Sequence, residues 1–172
     1  MKGRLLTITI TFIVLLTIFL KTGYTENCQS EKDSVVSAVK TAALGLSAIL
    51  KDISDESEKI AIIKKMVYAV RFLDDKSGYF YVYDYNCKNI VHPDKTFDGK
   101  NLIDYKDAKG KYVIRELSEV AKKGGGFVVF YWKKPIEGDQ NFSGNREIKK
   151  FGYVEPIAGT EYFIGSGSYE KQ

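Results

Sequence analysis

A change of sequence character at Phe72 limits this chain to a fold with a helical front and a sheet-forming back. From Phe72 onward, 101 residues hold 10 Tyr, 8 Phe and the single Trp, whereas the 71 before it hold only Phe12, Phe19, Tyr24 and Tyr68. Aromatic and β-branched runs broken by turn residues read as strands. Strands are expected at about 79–84, 89–92, 127–132, 149–155 and 162–169, with 85–88 as a hairpin turn. Between the second and third, residues 111–123 read as a helix. Basic residues fill its last turn, and Gly124, Gly125 and Gly126 stop it.

Ahead of Phe72 the period is helical. Val35, Val39, Ala42, Leu46, Ile49 and Ile53 recur at spacings of 4, 3, 4, 3 and 4, which predicts a helix over 34–53 with Asp33 or Ser34 as its N-cap. That stripe fits packing on the chain's own sheet, and it equally fits a short coiled-coil seam with a second copy or a partner. In the next helix Asp55 and Glu58 make a capping-box-like start, and Ile60, Ile63, Val67 and Val70 give the buried face. This helix is expected to end near Asp74 and Asp75, before a turn at Ser77 and Gly78. Two helices, two strands, a helix and three strands make an α+β domain with one antiparallel sheet.

Residues 1–25 are a targeting segment. Lys2 and Arg4 precede an apolar run over 5–20, shorter than the ~20 residues that span a bilayer. Gly23 and Thr25 are small enough for cleavage before Glu26; the alternative is an uncleaved N-terminal membrane anchor. Either way the remainder, 26–172, is expected outside the cytoplasm, periplasmic or extracellular. There Cys28 and Cys87, the two cysteines, can form a disulfide, remain free thiols, or leave Cys28 to lipidation. Without residues 1–25 the chain carries 23 basic and 22 acidic side chains, too even a balance for nucleic-acid binding.

Motifs that carry chemistry are scarce. Gly124–Gly126 lacks the Lys-Ser or Lys-Thr of a phosphate loop, and Gly165-Ser166-Gly167 has no helix behind it. Strand glycines of that kind mark a close backbone approach or a bulge. Two cysteines and one histidine close no zinc site without carboxylates, and no cofactor motif occurs. What remains is a grouping. Tyr79, Tyr81 and Tyr83 share one strand face, His92 ends the next strand, Trp132 ends the third, and Lys150 lies in the fourth with Gly152 on its side. If that face is enclosed, a lysine and a histidine among tyrosines form a small anion pocket; otherwise they are a solvated face and ordinary core.

From about Met66 to Tyr169 the chain resembles single Cache domains, extracellular ligand-sensing modules of bacteria. The resemblance is carried, in order, by residues 78–84 (GYFYVYD), 91–93 (VHP), 98–102 (DGKNL), 107–111 (DAKGK), 124–127 (GGGF), 132–135 (WKKP), 150–154 (KFGYV) and 164–169 (IGSGSY). It implies a PAS-like five-stranded antiparallel sheet with flanking helices and a long N-terminal helix, the helical front over 26–75 and the sheet with its pocket over 76–172. It also implies a pocket for small organic acids such as acetate, propionate, pyruvate or lactate, formed by Tyr79, Tyr81, His92, Trp132, Lys150 and Tyr153. Lys150 would neutralise the carboxylate, while His92 and a tyrosine hydroxyl would donate to it.

Three places depart from the family's pattern. Cys87 stands where a glycine is usual, the loop over 136–148 is long, and Gly159-Thr160-Glu161-Tyr162 replaces a tryptophan-rich stretch beside the site. Members typically continue into a second membrane helix and an output domain, whereas this sequence ends at Gln172. The expectation is therefore an exported, stand-alone, non-catalytic module. It would bind a carboxylate and relay it to a membrane sensor kinase, chemoreceptor or transporter. The alternative is an N-terminally anchored interaction protein that dimerises through residues 35–53, its pocket degenerate.

Overall fold

A computed structural model of the chain describes residues 29–135 and 146–171. Residues 1–25, expected to be a targeting segment, Cys28 and most of the 136–148 loop lie outside the described residues, and with them the expectations for cleavage and for a Cys28–Cys87 bond.

Helix α1 (Gln29–Leu50) and helix α2 (Glu56–Ala69) come first. Strands β1 (Tyr81–Asp84) and β2 (Asn89–Val91), a single 3-10 turn (Lys95–Phe97), helix α3 (Val113–Lys122) and strands β3 (Gly126–Lys133), β4 (Glu147–Pro156) and β5 (Tyr162–Tyr169) follow. The sheet is antiparallel in the order β2-β1-β5-β4-β3. Every expected element is present in the expected order.

Boundaries differ where local chemistry decides them. The first helix already runs at Gln29, so Asp33 and Ser34 lie inside its opening turns; the Ser34 hydroxyl donates back to the Ser30 carbonyl at 2.8 Å instead of capping. Asp55 does cap α2, its Oδ1 accepting from the Ser57 and Glu58 amides at 2.7 and 3.2 Å. Helix α2 stops at Ala69, short of Asp74, and Phe72 then bridges to Gly78. Gly124, Gly125 and Gly126 all take positive φ, and the first two amides return to the Ala121 and Val120 carbonyls, as a glycine helix stop should. Cys87 also has positive φ, 67°, which explains why a glycine suits that turn.

Two cores lie on opposite faces of the sheet. One packs α1 and α2 against Phe80, Val82, Tyr153 and Ile164; the other packs α3 against Tyr79, Tyr81, Phe130 and Trp132. On α1 the buried residues are Val35, Val39, Ala43, Leu46 and Leu50, not the full stripe read from the sequence. Spacings of 4 and 3 in alternation repeat every 3.5 residues, while a straight helix turns every 3.6, so the stripe drifts off the sheet. Ala42 is half-buried, and Ile49 is 55% exposed beside Leu44 at 72%. Length and composition alone would let α1 cross a membrane, but its apolar contacts are made with the sheet.

Gly45 sits mid-helix on the open side of α1 with no neighbouring atom where a Cβ would go. Gly45→Ala is expected to raise stability by about 0.5–1 kcal/mol in denaturant titration, through backbone entropy alone. A loss instead would show that a second chain covers this face.

Candidate functional site

The site lies between the sheet and α3. Strand alternation sends Tyr81 and Tyr83 to the α3 side, with Tyr79 just before the strand, and sends Phe80 and Val82 to the other. Lys150 leaves β4 on the same side as the tyrosines. His92, immediately after β2, completes the group. These buried residues line a cavity of about 10 Å³ with Val113, Ile114 and Leu117 of α3 and with Phe130 and Trp132 of β3.

Three strand glycines make the site possible. A Cβ on Gly165, the cross-strand partner of Tyr81, would stand 2.5 Å from the Tyr81 ring. One on Gly167 would stand 2.8 Å from Lys150 Cε, and one on Gly152 would stand 2.5 Å from the Phe130 ring. Of the two readings offered for Gly165 and Gly167, close approach or bulge, the contacts fit the close approach; Gly152 is a third such position, and one site side chain is seated over each.

Lys150 is the one fully buried lysine or arginine among the described residues. Its Nζ lies 3.9 Å from the Tyr79 ring centroid, 4.8 Å from Tyr169 and 5.6 Å from Tyr81, and no hydrogen-bond acceptor among the described residues reaches it. Three ring faces stabilise a cation only in part. Desolvation therefore holds the Lys150 pKa well below the ordinary lysine range. Burial, and then the charge of Lys150, hold His92 well below the usual histidine range. The Asp94 amide donates to His92 Nδ1 at 2.9 Å, which leaves the ring proton on Nε2 as a donor. The Tyr81 hydroxyl is buried with no partner among the described residues, and burial pushes its pKa well up, so it too keeps its proton. Tyr169 donates to the Lys133 carbonyl at 2.7 Å, which orients Tyr79 as donor to Tyr169 at 3.2 Å.

Outside the cavity, Phe97 and Tyr105 pack at a tilt on Trp132 at 5.6 and 5.0 Å, and Phe97 meets His92 edge-on at 5.2 Å. The loop that carries them is tied to α2. Asp98 accepts from the Tyr68 hydroxyl at 2.6 Å and the His92 amide at 3.3 Å, and pairs with Lys64 at 3.5 Å.

Of the six pocket residues named from the sequence, Tyr79, Tyr81, His92, Trp132 and Lys150 come together and Tyr153 does not. An odd step from Lys150 along β4 puts Tyr153 on the helical face, where it meets Phe127 edge-on at 5.0 Å and donates to Glu155 at 2.9 Å. Tyr162 lies on that same face, bonded to Glu56, so the Gly159–Tyr162 departure does not reshape the cavity. Sequence reasoning missed Tyr169 and the apolar face of α3. Tyr169 was visible in principle, because its pairing with Lys150 follows from the β4–β5 register.

A PAS-like sheet with helices on one face and a buried, lysine-bearing aromatic cavity on the other defines a sensory ligand-binding domain. The chain belongs to the Cache domain family, whose model (dCache_2) matches residues 19–172. It is similar to the sensor histidine kinase MctS of Rhizobium johnstonii, with 32% identity over 149 residues, covering 85% of this chain and 30% of the kinase. The chain thus spans under a third of that relative's length. A solved methyl-accepting chemotaxis protein from Vibrio parahaemolyticus superposes with a TM-score of 0.69 at 30% identity, covering 87% of this chain and 95% of that one. A Cache chemosensory domain described for carboxylic acid recognition superposes at 0.70, covering 86% and 98%; at 23% identity that likeness carries the fold alone. The chain accordingly holds a Cache sensory domain homologous to those of histidine kinases and chemoreceptors.

Proposed function

We propose that this domain works outside the cytoplasm and binds a short monocarboxylate, such as acetate, propionate, pyruvate or lactate, in the cavity around Lys150. Occupancy would then pass to a membrane sensor kinase, chemoreceptor or transporter. One observation carries the reading: a buried lysine with no acceptor among the described residues, in a cavity where the Tyr81 hydroxyl is also buried without a partner among them and His92 Nε2 carries a proton. An anion supplies what that arrangement lacks. Among the described residues no acidic side chain lines the cavity to hold the ammonium of an amino acid, and its α3 side is apolar, with Ile114 and Leu117. The reading contains no catalytic step.

The cavity has room for about one water, so a carboxylate enters by spreading the walls. Phe97 and Tyr105 are the half-buried members of the stack over Trp132 and are the ones with space to move. The test is a thermal-shift screen of the full chain in mild detergent against two- to four-carbon monocarboxylates, dicarboxylates, amino acids and neutral controls. A ligand at about 100 times its Kd should stabilise the fold by about 2.7 kcal/mol, a shift of several degrees. Monocarboxylates are expected to shift the melting temperature and the other classes not. No shift with any carboxylate would overturn the reading.

A second reading, self-association through α1, has the exposure of Leu44 and Ile49 in its favour. Sedimentation of the wild type against Leu44→Asp decides it: a dimer lost in the variant supports it, and a wild-type monomer ends it.

A further inference from the structure

We propose that the cavity takes up its carboxylate together with one proton, delivered to Lys150, so that the domain reads carboxylate and acidity as a single signal. The proposal rests on the carboxylate reading above and adds a stoichiometry to it.

A bare ammonium in an apolar enclosure is costly and a neutral amine is much less so. Whether the cation persists depends on what faces it from each packed element. The chain around β1 contributes Tyr79 and Tyr81, and β5 contributes Tyr169, all neutral phenols. From the end of β2 comes His92, neutral with its Nδ1 occupied by the Asp94 amide. Past the end of α2 comes Arg71, a second cation felt at both Tyr79 and His92. Helix α3 and strand β3 contribute apolar side chains and Trp132. The acid that bears on Tyr169, Asp75, is paired with Lys134 at 2.8 Å. Among the described residues nothing offers Lys150 a compensating negative charge.

A monocarboxylate brings that charge itself. Once it stands beside Nζ, the ammonium becomes the favoured form, and the amine takes a proton from the buffer acid as the ligand enters: one N–H bond forms on Lys150 and one breaks on the buffer. By linkage, binding must weaken as pH rises through the range in which the unliganded amine is neutral. The limit is about tenfold in Kd per pH unit, the value for one proton.

Isothermal titration of the full chain in mild detergent with sodium propionate, at about pH 7.5 and about pH 8.5, tests this directly. Buffers of different ionisation enthalpy report the protons exchanged. The expected result is binding with close to one proton taken up and a weaker Kd at the higher pH. Binding with no proton exchange and a flat Kd would overturn the proposal and leave the carboxylate reading standing. Absence of binding by propionate, acetate, lactate and pyruvate alike would overturn the carboxylate reading, and the proposal with it. His92→Gln locates the proton. Weaker binding that keeps the uptake of one proton supports Lys150, whereas binding with uptake abolished would place the proton on His92 and overturn the assignment.

Discussion

Lys150→Met is expected to abolish carboxylate binding and, in the same protein, to raise the melting temperature. The binding loss follows from removing the one fully buried lysine or arginine among the described residues. One charge-assisted contact is worth roughly 1.5–3 kcal/mol, so affinity should fall at least tenfold. The gain in stability follows because Met has nearly the same length and flexibility and no amine to leave without an acceptor. A buried unsatisfied polar group costs about 1–3 kcal/mol, and its removal recovers an amount of that order. The pH dependence should change as well. The folded-state pKa of Lys150 lies below the ordinary 10.5. Between the two values the unfolded chain holds the extra proton, so stability of the unliganded wild type rises with pH across that window and levels off above it. The slope is at most about 1.4 kcal/mol per pH unit, and the variant should lose it. Melting curves at several pH values, with and without propionate, check all three expectations. Wild-type affinity in the variant would remove Lys150 from the site.

Gly165→Ala carries the second large effect. Its Cβ would lie within 2.6 Å of Cε2, Cζ and the hydroxyl of Tyr81. That ring cannot step aside, because Tyr83 stands at 5.8 Å, Tyr79 at 6.5 Å and His92 at 6.4 Å between centroids. Strand β5 has to shift relative to β1, at a cost of about 1–3 kcal/mol for an overpacked core. Because the displaced ring is a cavity wall, carboxylate affinity should fall at least tenfold in protein that still folds. The double variant Gly165→Ala, Tyr81→Leu separates the two effects: stability returns as the ring is removed, and affinity does not. Unaltered stability and binding in the single variant would mean that the β1–β5 spacing has slack.

Much of this architecture was legible in the chain because composition and periodicity report directly on elements. The switch at Phe72 gave the α+β order, and the spacing from Lys150 to Gly152 put both on one face. Where reading failed, period or partner was at issue. A 3.5-residue repeat over α1 looked continuous, yet the helix turns at 3.6 and exposes Ile49. Tyr153 was carried along with its neighbours although alternation alone turns it away. Phe97 sits in a 3-10 turn of three residues, too short to show any period, and its place over Trp132 depends on tertiary packing. The apolar face of α3 looks the same whether it lines a cavity or a solid core.

The two faces of the sheet are separated by a single peptide unit. Tyr79 and Tyr81 wall the cavity, and their immediate neighbours Phe80 and Val82 lie in the core beneath α1 and α2. Any displacement of Tyr79 or Tyr81 is therefore a displacement of the chain about 3.3 Å from a residue that packs against the helices. The wall between the cavity and the helical core is one chain thick.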